Sequence, residues 1–66
     1  MIDKKNEGKR VELIFTDDPW TKLVPGSKGT YRFANIQPGI TQHMIRWDDG
    51  SSLSLIEGVD QFKFIE

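Results

Sequence analysis

The sequence contains no cysteine. That excludes disulfide staples and any zinc site built on thiolates. A secreted domain of 66 residues usually needs such staples, so the composition points to the cytoplasm. Long apolar runs are missing too. Nothing approaches the roughly 20 apolar residues that span a bilayer, and the first ten residues are polar and charged rather than a secretory leader. No membrane association is expected. Charge of one sign is also lacking, since nine basic and ten acidic side chains leave a formal net charge of −1. Strong attraction to nucleic acid is therefore not written into the overall balance, although a local basic patch is compatible with it. Histidine occurs once, as His43, and no nucleophile-elbow serine motif accompanies it. The paired carboxylates Asp17-Asp18 and Asp48-Asp49 lack the further oxygen ligands and closing glutamate of a calcium loop, and read as turn caps. No catalytic residue, metal site or cofactor is expected, and the chain does not read as an enzyme.

What is present is a succession of short alternating segments. Residues 1–8 carry no periodic apolar face and read as a flexible tail. Residues 9–66 read as one domain. Val11, Leu13 and Phe15 alternate with Arg10, Glu12 and Ile14, as in a half-buried strand. Thr16 to Lys28 is rich in turn formers and predicts a long first loop. Within it, Pro25-Gly26 suits the centre of a type II turn, because proline presets the first φ and glycine tolerates a positive second one. Thr30 to Phe33 reads as a second strand, Asn35 to Gly39 as a turn, and Ile40 to Trp47 as a third strand.

Trp47 to Leu55 predicts a hairpin whose register can be argued. A two-residue loop, Asp49-Gly50, sets Arg46 opposite Leu53 and puts a charge on the face of the leucines. A three-residue loop, Asp48-Asp49-Gly50, sets Ile45 opposite Leu53, His43 opposite Leu55 and Met44 opposite Ser54. A one-residue slip flips every side chain, so the common apolar face selects the longer loop, with Gly50 in the left-handed position. Ile56 to Asp60 is too short for more than a single turn, and Phe62 and Phe64 mark a last strand. The expected core is Val11, Leu13, Phe15, Phe33, Ile45, Trp47, Leu53, Leu55, Phe62 and Phe64. Five short strands without a helix predict an all-β fold, a small five-stranded barrel whose closure would remove exposed edges.

The motifs Gly8-Lys9-Arg10-Val11-Glu12-Leu13, Pro25-Gly26-Ser27-Lys28-Gly29-Thr30 and Trp47-Asp48-Asp49-Gly50-Ser51-Ser52-Leu53, closed by Phe62, carry a resemblance. The chain resembles a family of small domains of unknown function found in bacteria, archaea and their viruses and plasmids. The resemblance covers Gly8 to Phe64 and implies an SH3-like barrel. It implies no reaction. The chain departs from the family's usual pattern between Tyr31 and Thr41, where a specialised partner would be read.

Two functional expectations follow. The first is a non-catalytic interaction module binding a protein partner through the Thr16 to Lys28 loop and the adjacent sheet, with Trp20, Tyr31 and Arg32 as contacts. Tryptophan is favoured as an interface anchor, whereas the bland alternative folds Trp20 back over the core. The second is a small β-barrel that binds nucleic acid through Lys28, Arg32, Arg46 and Lys63. His43 shares a face with Ile45 and Trp47 and reads as a partly buried structural residue.

Overall fold

A computed structural model describes residues 1–65. It contains six strands: β1 (Ile2–Asp3), β2 (Arg10–Phe15), β3 (Lys28–Gln37), β4 (Ile40–Trp47), β5 (Ser54–Ile56) and β6 (Gln61–Phe64). Every pairing is antiparallel, and the sheet runs β5-β4-β3-β2-β6, with β1 on β3. The fold is all-β, as expected, and among the described residues there is no helix. Two parts of the expectation are corrected. There are six strands rather than five, and the ladder ends at β5 and β6 without joining them, so the sheet is not closed into a barrel.

The sixth strand comes from residues 1–8, expected to be a flexible tail. Ile2 and Asp3 pair with Asn35 and Ala34. The Met1 ammonium donates to the Ile36 carbonyl at 2.7 Å, and Gly8 N–H donates to the Tyr31 carbonyl at 2.8 Å. The physical reason is the length of β3. It continues through Gln37 where a turn was expected from Asn35, and the half of it that β2 leaves unpaired needs a partner for its backbone groups.

Strand β4 occupies the expected span, Ile40–Trp47, and the hairpin register is the argued one, with His43 opposite Leu55 and Met44 opposite Ser54. Gly50 takes φ 87°, and its N–H donates to the Trp47 carbonyl at 3.1 Å. At Val24–Ser27 the Ser27 N–H donates to the Val24 carbonyl at 3.0 Å with Gly26 at φ 97°, the type II turn read from Pro25-Gly26.

The core is Val11, Leu13, Leu23, Tyr31, Ala34, Ile45, Trp47 and Leu55, with Ile36, Leu53 and Phe62 packed against it. Phe15, Phe33 and Phe64 were expected inside and are not. Phe15 is 48% exposed. The pairing of β2 with β6 shifts by one residue between Leu13 and Phe15, so Ile14 is the extra residue of a bulge and the alternation reverses beyond it. The same device acts in β3, where a shift between Tyr31 and Phe33 leaves Arg32 as the extra residue, turns Phe33 off the core and brings Ala34 in. Phe64 lies on the edge strand β6 and stays 42% exposed, its ring against Tyr31 and Phe62.

Candidate functional site

The long loop between β2 and β3 is held by side-chain caps. The Thr16 hydroxyl and Asp17 N–H both donate to Asp60 Oδ1, Trp20 N–H donates to Asp18 Oδ1 at 2.9 Å, and Leu23 N–H donates to the Thr21 hydroxyl at 3.1 Å. The loop then returns alongside β2, where Leu13 N–H donates to the Ser27 carbonyl and Gly26 N–H to the Leu13 carbonyl. Serine, threonine and aspartate thus satisfy backbone groups that no ladder reaches. Asp60 also accepts Ile56 N–H through Oδ2. Burial raises its pKa, but the N–H groups of Ile56 and Asp17 and the Thr16 hydroxyl lower it further, and the net displacement is downward.

This scaffold holds Trp20 out. It is 90% exposed, while Leu23, three residues later, is 6% exposed and anchors the loop in the core. Leucine does what the bland reading assigned to tryptophan. Beside Trp20 is a cavity of about 490 Å³, lined by Lys22, Asp49 and Ser51 among others.

A second cavity, of about 630 Å³, is lined by Thr30, Arg32, Arg46 and Asp48. Arg32 reaches it because the bulge makes it the unpaired residue of β3, and Arg46 because it stands opposite Thr30 on the outer face of β4. Asp48 is held by Arg10, whose Nη1 and Nη2 donate to its two oxygens at 2.9 and 2.5 Å, and Nη1 also donates to the Thr30 hydroxyl. The hydrogen bond from Arg10 is the main reason the Asp48 carboxyl titrates below its usual range. Asp48 was read as a turn cap and is instead an ion-pair partner. Asp49 does cap the turn, accepting Ser51 N–H at 2.8 Å, which lowers its pKa.

Of the three residues expected at a protein interface, Trp20 and Arg32 are exposed and line neighbouring cavities. Tyr31 is 3% exposed and offers no contact surface. It faces inward because it precedes the bulge. Of the four residues expected to bind nucleic acid, Arg32 and Arg46 converge on one cavity. Lys28 and Lys63 do not join them there, because both are cross-strand neighbours of Glu12. All four lie among charges of both signs, which weakens a continuous phosphate track.

One cluster was not foreseen. His43 Nδ1 lies 2.7 Å from the Tyr31 hydroxyl, and Nε2 lies 2.5 Å from Glu57 Oε1. A carboxylate only accepts, so Nε2 carries the proton, and in the neutral ring Nδ1 accepts from the phenol. Burial, then the charges of Asp3 and Glu57, raise the Tyr31 pKa. The chain ties the β5–β6 turn to the core, in keeping with the structural reading of His43. Its signal, a glutamate fourteen residues beyond the histidine, has no local period that a sequence reading would detect. Among the described residues, no group of three or more His, Asp and Glu side chains converges to hold a metal ion, and no helix is long and apolar enough to cross a membrane.

Comparison with known families completes the site's context. The chain belongs to the family described as a domain of unknown function (DUF4314), which it matches over residues 3–65. Among curated proteins and among solved structures nothing matches it.

Proposed function

We propose that the domain is a non-catalytic interaction module that binds a protein partner through the loop between β2 and β3. One observation carries this reading: an indole 90% exposed on a loop strapped by side-chain caps. Tryptophan is prominent among interface anchors. An anchor on a pre-ordered loop loses little further entropy on binding. Arg32, in the adjoining cavity, supplies the polar contact. An SH3-like architecture belongs to the same reading, supported by the long first loop and by the last strand returning to β2. The cysteine-free composition supports a cytoplasmic setting.

The test is partner capture from the source cell by wild-type, Trp20→Ala and Arg32→Ala domains, with bound proteins identified by mass spectrometry. A partner retained by wild type and lost with Trp20→Ala is the expected result. Unchanged capture by Trp20→Ala removes the site assignment.

A further inference from the structure

The two cavities meet at the Asp48–Gly50 turn. Gly50 lines both, and a Cβ added there would meet nothing within 4 Å, so the space over that shared position is open.

The two sides differ in charge. Arg32 and Arg46 are exposed, and among the described residues neither is in an ion pair. Asp48, the acid beside them, already has both oxygens engaged by Arg10. Glu7 is the other acid at that cavity. Two guanidinium groups therefore face one carboxylate not held by an arginine there. On the Trp20 side, Asp18 and Asp49 accompany Lys22, each carboxylate accepting a backbone N–H. Cation excess lies at one end and exposed apolar surface at the other.

Resting on the reading of the Trp20 loop as a protein-binding surface, we infer that the partner is engaged through an extended acidic segment. An apolar side chain of that segment packs on Trp20, and a carboxylate a few residues away is held between Arg32 and Arg46. The chemistry is that of paired planar forks: a guanidinium presents N–H donors in the geometry that a carboxylate accepts, and a second guanidinium doubles the charge at the same point. The acids at the Trp20 end disfavour the reverse direction.

The experiment is selection from a phage-displayed random heptapeptide library on three baits: the wild-type domain, Trp20→Ala, and the double variant Arg32→Gln with Arg46→Gln. Thermal melts establish that each bait is folded. The expected selection on wild type is rich in Asp or Glu a few positions from an apolar residue. A synthetic peptide of that sequence should lose affinity about tenfold or more on the double variant, since charged hydrogen bonds are lost. It should also weaken as salt rises. A twelve-nucleotide oligothymidylate should not displace it. Trp20-dependent peptides without acidic preference overturn this inference and leave the Trp20 surface standing. Displacement by the oligonucleotide overturns it in favour of a nucleic-acid site. Failure to select any Trp20-dependent peptide removes both readings.

Discussion

The Tyr31 hydroxyl lies in hydrogen-bond contact with His43 Nδ1 at 2.7 Å, and the opposite nitrogen of the same ring donates to Glu57. A buried strand residue, a half-buried histidine and an exposed turn residue thereby form one polar chain, and its disruption at either end is measurable.

Replacing Tyr31 by Phe keeps the ring and removes the donor. His43 Nδ1 is then left half-buried without its partner, which costs about 1–3 kcal/mol. In a domain this small, each 1 kcal/mol lowers the melting temperature by roughly 4–8 °C. Differential scanning calorimetry checks this. A melting point within a degree of wild type would show that water replaces the phenol at no cost.

The same phenol gives a signature at high pH. Its folded pKa is raised by burial and by Asp3 and Glu57. The unfolded tyrosine therefore releases its proton first, and the contribution to stability is complete below the ordinary value of about 10. It falls as pH rises above that value, toward the higher folded pKa. Urea midpoints between pH 8 and 11 should decline more steeply for wild type than for Tyr31→Phe. Parallel declines would contradict this.

At low pH the sign reverses. Asp60, Asp48 and Asp49 titrate below their usual range in the folded chain. Their contribution is present above the ordinary aspartate value and fades as pH falls through the depressed folded values. Asp60→Asn should flatten the acid limb. It should also lower stability at neutral pH by about 1–3 kcal/mol, because an amide cannot accept on both sides from Ile56, Asp17 and Thr16. Equal denaturation midpoints for Asp60→Asn and wild type at pH 6 would remove Asp60 as the hub of the loop.

Gly29 stands opposite Trp47 where strands β3 and β4 approach closely. A Cβ there would lie 2.8 Å from the Arg46 carbonyl oxygen and 2.9 Å from Ile45 Cγ2. Gly29→Ala should cost about 1–3 kcal/mol through overpacking, measured by chemical denaturation. A neutral result would mean that the ladder relaxes locally.

The two tryptophans should behave oppositely. Trp20→Ala should change stability by no more than about 0.5 kcal/mol, as for an exposed side chain. Trp47, which is 2% exposed and donates to the Leu53 carbonyl, should cost about 3–5 kcal/mol when cut to alanine. Iodide quenching of fluorescence should act mainly on Trp20. A Trp20→Ala variant that melts well below wild type would show that the indole packs on the fold.

Features legible in the sequence were those set by neighbouring residues. Alternation of Val11 and Leu13 marked β2, Ile40–Trp47 read as β4, and the common apolar face of Ile45, Leu53 and Leu55 chose the hairpin register. Pro25-Gly26 and Gly50 announced their turns because proline fixes the first turn φ and glycine accepts a positive φ without steric cost. The candidate site was partly legible. Trp20, Arg32 and Arg46 were singled out by residue type, but Tyr31 was drawn in by its aromatic ring although it points inward.

By itself the sequence determined an all-β chain, the positions of most strands and the turns between them, since these follow from backbone preference and a two-residue period. Tertiary structure decided which side chains that pattern finally buries. Bulges at Ile14 and Arg32 reverse the alternation, and whether a strand takes an extra residue depends on its distant partners β6 and β4. Burial is likewise a contest among residues remote in sequence. Leu23 joins the core of Val11, Tyr31, Trp47 and Leu55, whereas Trp20, three residues earlier in the same loop, stays exposed.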